Sequence, residues 1–220
     1  MNLFDIIGPI MVGPSSSHTA GACKIGNVAR RLFGEEIKSA EVFFMGSFSS
    51  TGKGHGTDKA IIAGLLGMAV DDIEIPDSFE IAEKRGMKFS IKTGNEDIEG
   101  KPNIARMNLV GVNGKKMTIL GASVGGGRIE ILEIDGVETS FSAESPTLII
   151  QNEDKPGYVA EVAPILVNEH VNIATMQLHR KKRGTVAVMV IECDQEISVS
   201  CIAALRALPG VLEVTYLSMM

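Results

Sequence analysis

The densest group of chemically competent side chains lies near the start of the 220-residue chain, in Gly13-Pro14-Ser15-Ser16-Ser17-His18-Thr19-Ala20-Gly21. Three serines and a threonine can hydrogen-bond a carboxylate. The stretch stands where an amphipathic helix begins, and unpaired backbone N–H groups and the positive helix end favour an anion there. His18, in the same turn, has an unperturbed pKa near working pH and can act as a general base. The structural alternative makes Ser16 or Ser17 an N-cap and His18 a surface residue. One cap explains one serine, not three beside a histidine and two glycines. Both readings stay open at the level of pattern.

A second stretch, GSFSSTGKGHGTD at 46–58, superficially suggests a phosphate loop. It has five residues instead of four before its Gly-Lys, and Gly54 follows the lysine, so the P-loop pattern fails. G-x-G-x-x-G spacing for a dinucleotide is absent too. A glycine-rich loop entering a helix with Lys53, His55 and Asp58 could still line a pocket; a plain surface loop explains it equally well. The third stretch, Asn152-Glu153-Asp154-Lys155-Pro156-Gly157, reads as an Asx-type turn that starts a helix, or as a small amino-acid site between a strand end and a helix start. Gly125-Gly126-Gly127 is a tight turn or a close backbone approach. His170 and His179 read as structural or solvated, and the basic tetrad 180–183 as a solvated turn.

Cys23, Cys193 and Cys201 are too few and too scattered for a disulfide framework. They show no C-x-x-C spacing, so no metal ligand set is expected from this chain, and buried thiols are the simpler reading. A pyridoxal enzyme would need a Schiff-base lysine in a large α/β frame, and neither is evident; no pyridoxal phosphate is expected.

The elements that must position these residues follow from hydrophobic period. Ala22, Ile25, Ala29, Leu32 and Phe33 mark a helix after Ser17 that Gly34 stops. A buried strand follows at 40–45, then a helix over 57–69 in which Ala60, Ala63, Gly64 and Gly67 permit close backbone approach. Short β-like runs at 87–93, 104–112, 115–124 and 128–137 come next, with Asn113-Gly114 as a hairpin signal. Helices followed by antiparallel strands predict an α+β layer domain. The polar stretch 139–146 suggests a boundary, giving domains 1–140 and 147–220. The second reads β-α-β-β-α-β, the ferredoxin-like split βαβ plan. Its strands are expected at 147–151, 171–178, 186–193 and 211–217. Its first helix is expected to bury Val159, Val162, Ala163 and Leu166, with Pro156 at a first helical position and Pro164 as a kink.

Hydrophobic residues make up 45% and charged residues 22%, with a formal charge of −6. That is globular composition, without the basic stripe a nucleic acid demands. No apolar run is long enough to span a bilayer, and the N-terminus lacks a basic leader, so a cytoplasmic location is expected.

Phe4-Asp5-Ile6-Ile7-Gly8-Pro9 followed by 13–21 resembles the beta chain of the two-subunit iron–sulfur-dependent L-serine dehydratases. Gly54-His55-Gly56-Thr57-Asp58-Lys59-Ala60 with the helix after it is similar to a second stretch of that family. The turn at 152–157 with Val171-Asn172-Ile173-Ala174 resembles an ACT domain. The resemblance implies conversion of L-serine to pyruvate and ammonia by β-elimination, with a [4Fe–4S] cluster whose cysteines lie on a partner alpha chain. It implies His18 as the base, Ser15, Ser16, Ser17 and Thr19 around the substrate carboxylate, and His55 and Asp58 in the pocket lining. For the ACT domain it implies an amino-acid site at Asn152, Asp154, Pro156, Gly157, Asn172 and Ile173, and homodimer formation. The N-terminal domain type also occurs in some phosphoglycerate dehydrogenases, where it binds a small effector. A purely regulatory subunit without a catalytic residue is therefore the competing reading. A transcription factor is disfavoured by acidic charge and the lack of a helix-turn-helix segment.

Overall fold

The computed structural model describes residues 9–94 and 100–219; the 4–8 part of the family-like stretch lies outside them. The chain divides into two compact units, Met1–Asp135 and Gly136–Met220.

In the first unit a five-residue π-helical turn, Ser16–Ala20, runs directly into helix α1, Gly21–Phe33. The strands are β1 (Ile37–Gly46), β2 (Lys88–Thr93), β3 (Asn103–Gly111), β4 (Lys116–Gly125) and β5 (Arg128–Ile134), and they lie in the order β2-β1-β3-β4-β5. Pairing is antiparallel from β1 to β5, with Met107 opposite Ile119. The β1–β2 pair is parallel, with Ala40 opposite Phe89. The expected all-antiparallel run is thus corrected at its edge. The parallel pair needs a crossover, and helices α2 (Ser47–Thr51), α3 (Thr57–Leu65) and α4 (Ser78–Lys84) supply it.

Helix α1 buries Ala22, Cys23, Ile25, Val28, Ala29, Leu32 and Phe33 and packs on β4, β5 and α3. It ends as expected at Gly34, whose left-handed φ of 74° lets its N–H reach the Arg30 carbonyl. The small residues of α3 serve the approach foreseen for them. A Cβ on Gly64 would lie 2.1 Å from the Cys23 carbonyl oxygen, and one on Gly26 2.4 Å from that of Ile61.

Two local expectations change. The stretch 47–55 is α2 followed by a 3₁₀ turn, Gly52–His55, not a loop. Phe48 anchors it, buried and edge-on to Phe44 at 5.6 Å. Helix α4 was not expected: seven residues give too few turns for a clear period.

The second unit contains β6 (Val137–Phe141), β7 (Thr147–Glu153), α5 (Tyr158–Asn168), β8 (Ile173–Arg180), β9 (Val186–Cys193), α6 (Val199–Arg206) and β10 (Val211–Leu217). The sheet order β10-β7-β9-β8, with antiparallel pairs throughout, is that of the expected split βαβ plan. Tyr158, Val162, Leu166, Cys201 and Leu205 close over Leu148, Ile150, Met189 and Ile191. Of the expected core face of α5, Val162 and Leu166 are fully buried, whereas Val159 is 45% exposed. Pro156 precedes the helix in a turn, and Gly157 at φ 113° is the N-cap. Helix α5 runs through Pro164. The carbonyl left unbonded by the proline belongs to Ala160, an exposed residue whose backbone water can reach.

Candidate active site and effector cleft

The serine-rich turn is shaped by its glycines. Gly13 adopts a left-handed φ of 105° with Thr19 packed against it, and a Cβ on Gly21 would sit 2.2 Å from the buried Ser123 hydroxyl of β4. The turn is therefore set down on the sheet as closely as backbone allows. Ser15, not Ser16 or Ser17, is the cap. Its Oγ accepts from the His18 N–H at 3.1 Å, and its carbonyl accepts from Thr19 N–H at 2.8 Å and Ala20 N–H at 3.4 Å. The first amides of a helix have no partner within it, and those of Ser16 and Ser17 are the first two of this turn. Both residues are half-buried, and among the described residues their hydroxyls have no partner.

His18 and His55 converge from different segments, with ring centroids 4.8 Å apart. The His18 ring stands edge-on to Phe48 at 5.4 Å, and its Nε2 lies 2.8 Å from Thr51 Oγ1 and 3.2 Å from Ser47 Oγ. His55 Nδ1 lies 3.1 Å from the Thr51 carbonyl oxygen. Burial holds the His18 pKa below its ordinary value; a hydrogen bond to Ser47 opposes this, and the nearby His55 ring adds to it. His18 is thus neutral at neutral pH and able to take a proton. Thr19 is buried, and its hydroxyl donates to the His55 carbonyl at 3.0 Å. That proton is committed within the protein, so Thr19 joins the two turns instead of facing a carboxylate.

A cleft of about 920 Å³ opens on the His55 side of this pair. Phe44, Phe48, Phe79 and Phe89 wall it, and Lys53, His55 and Asp58 reach it; His18 and Ser15, Ser16 and Ser17 do not line it. Asp58 stands in the first turn of α3, where the helix dipole favours a carboxylate. Ser47, Phe48 and Thr51 are the site residues that sequence reasoning passed over. Their signal was the i, i+4 spacing of Ser47 and Thr51, which puts both on one helix face.

In the second unit Asn152, Asp154, Pro156 and Gly157 line a cleft of about 520 Å³ together with Tyr158, Val159 and Leu178. Asn152 is 2% exposed. Its Nδ2 donates to the Glu153 carbonyl at 2.7 Å, while its Oδ1 has no partner among the described residues, an arrangement that costs free energy unless a ligand donor completes it. The Asp154 carboxylate accepts from Gly184 N–H at 2.7 Å and from Arg180 at 3.0 Å. The Gly184 amide first, then Arg180 and Arg183, hold its pKa low. Asn172 and Ile173 do not line this cleft; Asn172 Nδ2 donates to Asp194 at 2.6 Å and its N–H to Gln195 at 2.7 Å.

The cysteines do not fit a metal cluster. All three are buried, and Cys23 belongs to the first unit while Cys193 and Cys201 belong to the second. Burial, with Asp72 nearby, pushes the Cys23 thiol up to about 12. Among the described residues no three His, Cys, Asp or Glu side chains group to hold a metal ion. No described helix is long and apolar enough to cross a membrane.

Comparison with known proteins agrees with this organisation. The family "Serine dehydratase beta chain" matches residues 2–118, and "ACT domain" matches residues 147–210. The chain is 42% identical to a probable L-serine dehydratase beta chain of Bacillus subtilis over 97% of its own length and 96% of the relative's. It is 36% identical to the L-serine dehydratase beta chain of Peptoniphilus asaccharolyticus over 92% and 91%. A D-3-phosphoglycerate dehydrogenase of Bacillus subtilis is 26% identical over 89% of this chain, which spans 36% of that protein. The chain belongs to the serine dehydratase beta chain family and carries an ACT domain in its C-terminal part.

Proposed function

We propose that this chain supplies the proton-accepting and carboxylate-holding half of an L-serine ammonia-lyase. A partner alpha chain would complete the site and hold a [4Fe–4S] cluster, since the cysteines here do not fit one. The observation that carries the proposal is a neutral, partly buried imidazole beside unpartnered hydroxyls at a helix start. The amides and hydroxyls of Ser16 and Ser17, with the Ser15 hydroxyl, hold the substrate carboxylate. His18 takes the α-proton as the C–O bond breaks and the hydroxyl departs, taking up a proton to leave as water; the enamine that remains tautomerises to an imine, which water hydrolyses to pyruvate and ammonia. His55 and Asp58 line the approach from the larger cleft. Thr19 holds the two turns together.

The domain limits that suit this division of labour are 1–140 for the catalytic part and 147–220 for the ACT part. The ACT domain would sense an amino acid at the Asn152 cleft, where the unpartnered Oδ1 suits an ammonium donor, and would pair with a second copy of itself.

The decisive experiment is His18→Ala in the enzyme reconstituted with its cysteine-bearing alpha chain. Loss of a general base lowers kcat by ~10²-fold or more. Loss of serine cooperativity with kcat intact would instead support the purely regulatory reading. Calorimetric titration of the chain with L-serine and other amino acids tests the sensing role; no heat at millimolar concentration would remove it.

A further inference from the structure

The side chain of Thr51 has one proton and three polar neighbours, the Ser47 carbonyl oxygen, His18 Nε2 and, at 3.4 Å, Ser47 Oγ. Its Oγ1 lies 2.9 Å from the Ser47 carbonyl oxygen and 2.8 Å from His18 Nε2. A carbonyl can only accept, and a helical threonine returns its proton to the carbonyl four residues back. With that proton committed, Thr51 Oγ1 meets His18 with a lone pair, so His18 Nε2 must carry the hydrogen. Ser47 Oγ, 3.2 Å from the same nitrogen, accepts as well when its own proton goes to Thr51 Oγ1, 3.4 Å away. The other ring is fixed in the opposite sense. His55 Nδ1 faces the Thr51 carbonyl oxygen at 3.1 Å, an acceptor only, so here Nδ1 carries the hydrogen.

We propose that α2 presets the two imidazoles as opposite tautomers, leaving the free lone pair on Nδ1 of His18 and on Nε2 of His55. Thr51 is the positioning residue for both, through its hydroxyl to one ring and its backbone carbonyl to the other. The hydrogen bond made by one ring nitrogen decides which nitrogen remains basic. The His55 tautomer follows from its partner atom alone, and the His18 tautomer from the return of the Thr51 proton to the Ser47 carbonyl. Their catalytic meaning, that the substrate proton is taken at Nδ1 of His18, rests on the reading of His18 as the base.

The test is long-range proton–nitrogen correlation on the full 15N-labelled chain, well above the pH at which histidines titrate. His18→Gln and His55→Gln spectra assign the rings among the four histidines of the sequence. The expected wild-type spectrum has His18 hydrogen-bearing at Nε2 and His55 hydrogen-bearing at Nδ1. Thr51→Val keeps the shape and removes the accepting oxygen, so His18 should become a tautomer mixture while His55 stays unchanged; Thr51→Ser should restore His18. A wild-type His18 protonated at Nδ1, or a folded Thr51→Val chain with His18 unchanged, overturns the proposal. If Thr51→Val fails to fold, the wild-type spectrum decides alone. Failure of the base assignment is separate: the stated tautomers combined with full turnover by His18→Ala would leave the preset standing and remove its catalytic role.

Discussion

The Thr19 hydroxyl donates to the His55 carbonyl oxygen at 3.0 Å, so one hydrogen bond ties the turn that opens α1 to the turn that precedes α3. Thr19 is 3% exposed. Thr19→Val keeps the volume and removes one part-buried hydrogen bond, at a cost of about 0.5–1.5 kcal/mol. A lower denaturation midpoint is expected for Thr19→Val and a near-native one for Thr19→Ser. Equal midpoints for all three proteins would show that the bond does not hold the turns together.

The crossing of α1 and α3 depends on a second contact, between backbones. With the Gly64 Cβ position 2.1 Å from the Cys23 carbonyl oxygen, Gly64→Ala must separate two helices whose buried faces are already filled. Overpacking of this kind costs about 1–3 kcal/mol or more. Gly54→Ala is the control, because a Cβ there meets nothing within 4 Å. Urea titration should show the first variant clearly destabilised and the second close to wild type.

How much of this was legible in the sequence follows physical lines. The long amphipathic period of α1, its glycine stop, the small residues of α3, the Asn113-Gly114 turn and the β-α-β-β-α-β order are local or strictly periodic signals, and each appears in the structure. Helices α2 and α4, of five and seven residues, are too short to print a period. Their positions are fixed by long-range burial of Phe48 and Ala82. The parallel β1–β2 edge is likewise a property of chain path. At the candidate site, His18 and His55 were legible as separate motifs. Their 4.8 Å approach and the clamp by Ser47 and Thr51 depend on how α2 folds back from β1, which residue spacing alone does not encode. The partners of Thr19 and Asn172 were hidden for the same reason.

The thiols provide a check on both units at once. Burial is the main cause that pushes Cys23 up to about 12 and Cys193 up to about 11, and it raises Cys201 too. A thiolate is the reactive form. All three cysteines should therefore resist iodoacetamide in the folded chain at pH 8 and react together once the chain is denatured, as read by intact mass. Rapid labelling of a single cysteine in the native protein would mean that its unit opens locally.

The pH dependence of His18 can be derived with its sign. Its folded pKa lies below the ordinary histidine value, chiefly through burial. The folded state therefore binds fewer protons than the unfolded chain just below pH ~6.5, and its stability falls as pH drops from there toward the folded pKa. Above that window the ring is neutral in both states and the effect vanishes. A base must be neutral to act, so kcat/KM should rise with pH about a midpoint that lies below the ordinary histidine pKa. Burial is the main cause of the low His18 pKa, and the neighbouring His55 ring adds to it, so in His55→Gln the His18 Cε1 proton should titrate at higher pH than in the wild-type chain. A shift in the opposite direction would mean that the His55 ring stabilises a cationic His18.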